Sequence, residues 1–284
     1  MTRLNPRLVE KLAFFFLFLS TLLIIVPVFL ILAKIIREGF PALTWEFLST
    51  YPRLGMRAGG IFPAVLGTVY LVLGTLVFSL PVGILAAIYL SEYAKDHWWK
   101  RVVEVAIVNL AGVPSVVYGL FGLGLFVIFL RFGASIVAGA LTLAIMSLPV
   151  IITASREALG TVPQSFREAS LALGATKWQT VSRAVLPNAL PGILTGTILA
   201  LSRAAGETAP ILFTVAAFYL PRLPHSIFDQ CMALPYHLYV ISTQVPNVKF
   251  SVQYGTALVL ILMVLAMNLV AVFIRARFRK RKLW

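Results

Sequence analysis

One cysteine, three histidines and ten carboxylates among 284 residues leave this chain little with which to run chemistry. Cys231, alone, forms no internal disulfide and builds no cysteine-based metal cluster. His97, His225 and His237 do not have the spacing of metal ligands. A phosphate-cradling G-x4-G-K-[ST] loop is absent too, so any ATP must be handled by another chain. Charge is equally scarce: 12% of residues are charged, whereas soluble chains carry about a quarter. With 60% hydrophobic residues and a mean hydropathy of +0.94, such a chain cannot hide its apolar surface from water.

What is present is long apolar runs. A spanning helix needs about 20 predominantly apolar residues, because in hydrocarbon each backbone group must find its partner inside the helix. Six runs qualify, roughly 12–36, 61–90, 105–130, 134–154, 189–220 and 254–274. The first follows Arg3, Arg7 and Lys11, exceeds a signal-peptide core in length, and reads as an uncleaved span. The expected fold class is an all-α integral membrane protein of about six transmembrane helices. Pro81, Pro114, Pro149 and Pro210 remove backbone donors within these runs and favour kinks. Gly119, Gly122, Gly124, Gly133 and Ala138 to Ala140 are small enough for close helix packing.

The net charge of +14 raises nucleic acid as a partner, but position argues for lipid instead. Arg275, Arg277, Arg279, Lys280, Arg281 and Lys282 directly follow the last run, where they anchor a helix at anionic headgroups. With both termini in the cytoplasm, sixteen basic residues fall inside, against seven outside (Lys34, Arg37, Arg53, Arg57, Arg131, Arg222 and Lys249). Two outside segments are long enough to have structure of their own. Residues 37–60 carry Trp45, Phe47 and Tyr51 as an interfacial helix does, and 221–253 hold Pro224, Pro235 and Pro246 with Tyr236 and Tyr239.

The one long cytoplasmic loop, 155–188, has a pattern. Pro163 suits a helix start, Phe166, Ala169, Ala172 and Leu173 recur at helical spacing, and Gly174 suits the left-handed turn that ends a helix. Thr176 then caps a second helix expected to run to Val185 or Leu186. Glu168, Ala169 and Ser170, then Gly174 after three residues and Ala184 to Pro187 after nine more, resemble the EAA loop of ABC importer permeases, E-A-A-x3-G-x9-I-x-L-P. Ser170 replaces the second alanine and Ala184 the isoleucine. The resemblance implies a type I importer permease whose loop docks on a cytoplasmic ATP-binding subunit, with Arg167 and Glu168 at the contact's rim and Leu186 and Pro187 closing the motif.

Arg203 and Glu207 form a charged pair inside a spanning run, four residues apart on one expected helix face. An arginine at mid-bilayer costs roughly 2.5 kcal/mol or more, so the pair should face the bundle interior or a water-filled path. A guanidinium there suits a phosphate oxyanion, which it grips with two hydrogen bonds, though an ion pair that only locks helices is equally compatible with the spacing.

Gly59 to Thr68, Leu80 to Ala94, Leu110 to Leu123, Leu186 to Gly196 and above all Arg203 to Thr214 are similar to PstA-type permeases of phosphate importers. That resemblance implies a PstC-type second permease, two copies of an ATPase that bind ATP and Mg, an extracytoplasmic phosphate-binding protein, and a location in the inner or cytoplasmic membrane. No cofactor of the chain's own is expected. Residues 1–60 then form an N-terminal span with its outside segment, and 61–284 the permease core. Competing readings are a permease for molybdate, sulfate or phosphonate, and an ATPase-independent secondary transporter or channel.

Overall fold

A computed structural model describes residues 6–220 and 222–279. Arg3, Pro221, Lys280, Arg281 and Lys282, and the side chain of Arg279, therefore lie outside the described residues. Five helices are long and apolar enough to cross a membrane, and a sixth crossing is available if one bent pair forms a single span.

Helix α1, Pro6–Gly39, presents apolar side chains outward along its length and packs on the last helix near its C-terminal end, where Lys34 Nζ lies 5.7 Å from the Tyr254 ring centre. After it comes the short α2, Trp45–Ser49, started by the Thr44 hydroxyl accepting from Phe47 N. Next is a two-stranded antiparallel hairpin, β1 (Pro52–Arg53) with β2 (Ala58–Gly59). Phe47 is buried while Trp45 stays exposed, as an interfacial helix requires.

Helix α3, Phe62–Tyr93, ends in a wide π-helical turn at Tyr89–Tyr93. It packs against α6, Ile136–Gly160, the most buried of the candidate spans and the centre of the bundle. Two hydroxyls in this pair donate back along their own helices, Thr75 to Leu71 O and Ser147 to Leu143 O, whereas those of Ser79 and Ser155 are buried without a partner among the described residues.

The run at 105–130 is not one rod. Helices α4 (Trp98–Ala111) and α5 (Ser115–Phe129) meet at 103°. Pro114 cannot donate a hydrogen bond and pushes Val113 out of helical geometry, so the chain turns within three residues. The Tyr118 hydroxyl, donating to Leu110 O at 2.7 Å, ties the elbow shut.

The run at 189–220 is also redrawn. After the short α7 (Gln164–Ala172), α8 spans Lys177–Gly206 without interruption, so the second helix of the loop does not stop at Val185 or Leu186. Pro187 lacks the donor an α-helix needs, and the preceding π-helical turn at Val181–Val185 absorbs the mismatch instead of ending the helix. At the other end, Glu207 is extended (φ −73°, ψ 132°) and a separate α9, Ala209–Thr214, restarts with Pro210 in its first turn.

Residues 222–253 fold against the bundle. Their helix α10, Leu234–Thr243, buries Leu234, Tyr236, His237, Val240 and Ile241, and the Thr68 hydroxyl of α3 accepts from Leu234 N. Helix α11, Phe250–Arg279, completes the bundle. Two apolar clusters result. One lies under residues 40–60 and 231–248, around Phe47, Ile61, Leu71, Met232 and Ile241; the other lies at the end that carries residues 164–180, around Ile88, Ile152, Leu159, Val181 and Ile193.

Candidate functional site

The loop between α6 and α8 is a helical hairpin made by local rules. Helix α7 follows Pro163, and Gly174 turns the chain at φ +82°, a region that an L side chain enters only with strain. Thr176 then starts α8 with a capping box: its hydroxyl accepts from Gln179 N at 3.3 Å, and Gln179 Oε1 accepts from Thr176 N at 2.8 Å.

The hairpin has two unlike faces. Glu168, Ala169, Leu173, Gly174 and Trp178 are exposed, Leu173 to 90%. Such an outward-turned leucine and tryptophan beside a carboxylate form a surface suited to a partner. Ser170 faces the other way, its hydroxyl 2.9 Å from that of Thr180, so the departure from the family's alanine adds a bond between the two arms. Leu186 packs against the inner apolar cluster, and Pro187 is exposed about two turns beyond the hairpin, on α8 itself.

Arg167 is not at a rim. Its side chain is 14% exposed and pairs with Glu92, 9% exposed, at the end of α3. Nη2 donates to Glu92 Oε1 at 2.7 Å and Nε reaches both carboxylate oxygens at 3.2 Å. Nη1 donates to Val162 O at 2.8 Å and Nη2 to Leu159 O at 3.0 Å, carbonyls at the end of α6. The guanidinium turns inward because those carbonyls and a nearly buried carboxylate need donors that water reaches poorly. Lys177 adds a second hold on the same end of α3, its ammonium 5.0 Å from the Tyr93 ring centre.

Glu92, Tyr93 and Thr180 were not singled out by sequence reasoning. The only hint is a carboxylate placed where an apolar run ends, and nothing local connects it to a residue 75 positions away.

Arg203 and Glu207 remain paired, Nε to Oε1 at 3.2 Å, but across the end of α8 rather than along a helix face. Arg203 is 47% exposed and Glu207 mostly buried. Around them the two breaks of the bundle come together. A Cβ on Gly119 of α5 would lie 3.0 Å from Ala209 O and from Pro210 Cα, so only glycine allows α5 to approach α9 this closely. Tyr118 is within electrostatic reach of Arg203. The arrangement places a guanidinium with donors unused among the described residues where two spans are interrupted.

Residues 79–283 match the family described as binding-protein-dependent transport system inner membrane component. The phosphate transport system permease protein PstA 1 of Mycobacterium tuberculosis is 37% identical over 99% of this chain and 92% of its own length. A probable phosphate transport system permease protein PstA of Methanocaldococcus jannaschii is 31% identical over 90% of each chain. The probable ABC transporter permease protein YqgI of Bacillus subtilis is 33% identical over 94% of this chain and 95% of its own. Among solved structures, a chain of a bacterial ABC transporter that imports alginate superposes with a TM-score of 0.67 at 14% identity, covering 95% of this chain and 99% of that one. A chain of the inward-facing methionine ABC transporter MetNI gives 0.60 at 17% identity, over 77% of this chain and 97% of that one. A bundle with the type I ABC importer permease fold, an EAA-like hairpin at one end and this family match together lead to one statement: the chain belongs to the family of binding-protein-dependent transport system inner membrane components.

Proposed function

We propose that the chain forms one half of the pore of an ATP-driven importer of inorganic phosphate. The observation that carries this reading is near full-length similarity, at 31–37% identity, to permeases named for phosphate transport. The geometry at Arg203 supports it: the half-exposed guanidinium keeps donors for a tetrahedral oxyanion, and Glu207 holds the side chain in place. In this reading a PstC-type permease supplies the other half of the pore. Two copies of an ATP-binding subunit, holding ATP and Mg, grip the hairpin at residues 164–180, and a phosphate-binding protein delivers substrate from outside.

Both termini then face the cytoplasm of a cell's inner membrane, together with the hairpin. Closure of the ATPases brings the hairpins together and opens the path outward; hydrolysis resets it. The chain itself makes and breaks no bond. The test is purification of the complex in mild detergent, reconstitution, and uptake of radiolabelled phosphate against unlabelled sulfate, molybdate and phosphonate. Phosphate uptake that depends on ATP and resists those competitors is the expected result. Uptake blocked by one of them reassigns the substrate, and anion flux without any ATPase overturns the importer reading.

A further inference from the structure

The hairpin does not hang from flexible linkers. Helices α3 and α6 end beside it, and charged side chains join them to it and to α4. Arg167 ties α7 to the end of α3 through Glu92 and to the end of α6 through the Leu159 and Val162 carbonyls. Lys177 ties the start of α8 to the same turn of α3 through Tyr93. Arg156, one turn before the end of α6, pairs with Glu104 of α4. Beneath these contacts Ile88, Leu90, Leu159, Val162 and Val181 are buried together.

We propose that Glu92 and Arg167 form a rigid joint, so that the hairpin and the loop-side ends of α3 and α6 move as one body and the driving displacement enters the bundle through α3. The proposal rests on the importer reading above and deepens it by naming positioning residues that touch neither substrate nor nucleotide. A buried, many-bonded guanidinium holds one geometry, whereas a solvated pair exchanges partners freely. The breaks in the bundle lie elsewhere, at the elbow 112–114, which the Tyr118–Leu110 bond holds, and at Glu207 and Thr208, between α8 and α9.

The experiment uses the assembled transporter in liposomes and reads phosphate delivered per ATP hydrolysed. With E92Q the ATPase still co-purifies, because the exposed face of the hairpin is intact, while phosphate per ATP falls at least threefold. Because loss of the pair also threatens folding, a second variant removes that ambiguity. In E92C/R167C, assembled and then bridged by a short bifunctional thiol reagent, the ratio returns to within about twofold of the unmodified transporter, with buried Cys231 untouched. A purely structural role in assembly would not respond to bridging after assembly. The joint is overturned if E92Q keeps the unmodified ratio, or if bridging stops turnover. Failure of the ATPase to co-purify even with the unmodified chain would instead overturn the importer reading.

Discussion

Two arginine–glutamate pairs mark the two working regions of this molecule, and they are built to opposite specifications. At the loop end all three guanidinium nitrogens of Arg167 are engaged, by Glu92 and by two helix-end carbonyls, and water is nearly excluded. At the break after α8, Arg203 has one partner among the described residues, a single carboxylate oxygen, and is half exposed. The first pair is saturated, as the proposed joint requires; the second keeps donors in hand, as the proposed oxyanion contact requires. Ion-pair count would call them equal, but unused bonding capacity separates them.

The sharpest way to break this contrast is to delete each arginine and see which property fails. R167A leaves Glu92 buried without its partner, at a cost of about 3–5 kcal/mol, so the melting temperature in detergent and the yield of assembled complex should drop strongly. A mild shift would mean that Glu92 is rehydrated and the joint is soft. R203K changes little in stability, within about 0.5 kcal/mol, yet loses two-point contact with an oxyanion and should lower phosphate uptake about tenfold to a hundredfold. Uptake unchanged in R203K, with the complex assembled, would reduce Arg203 to a lock like Arg167.

Acid should loosen the end of the bundle around α10 while leaving both arginines charged. His237 on α10 is buried with Nδ1 lacking a hydrogen-bond partner among the described residues, and burial lowers its pKa from 6.5 to about 4. The folded chain therefore binds fewer protons than the unfolded chain between those values. Stability is full above pH 6.5 and falls as pH drops toward 4, with a limiting slope of about 1.4 kcal/mol per pH unit. Thermal melts from pH 7.5 to 4.5 should show this slope, and H237Q, which cannot charge, should flatten it. If the slope persists in H237Q, another group carries the acid sensitivity.

Sequence legibility divides along the same line. The hairpin was readable because Pro163, Gly174 and Thr176 act on their immediate neighbours, and helix starts and turns are local chemistry. The six runs were readable because hydropathy depends on composition alone. Direction is not encoded there: Pro114 marks a bend but not one of 103°, and Pro187 looks like a stop although a wide turn carries α8 through it. The Arg167–Glu92 pair was invisible for a different reason. Its partners are 75 residues apart, and only packing of α3 on α6 brings them together. Likewise, 221–253 is long enough to have structure of its own, but Pro224, Pro235 and Pro246 do not locate it; Pro235 sits in the first turn of α10, where a missing donor costs nothing.

The smallest expected effect tests which device holds the hairpin in place. T176A removes the cap of α8 and costs about 1 kcal/mol, but the helix it caps continues for 30 residues into the bundle, so the global melt should barely move. The change should appear locally, as hydrogen exchange about fivefold faster at the amides of Lys177–Thr180. Exchange in Gln164–Ala172 should stay unaltered, because α7 is held by Arg167 rather than by its neighbour's cap. Should exchange quicken across both arms, the cap and the Ser170–Thr180 bond would be setting the hairpin's position, and Arg167 would follow that position instead of fixing it.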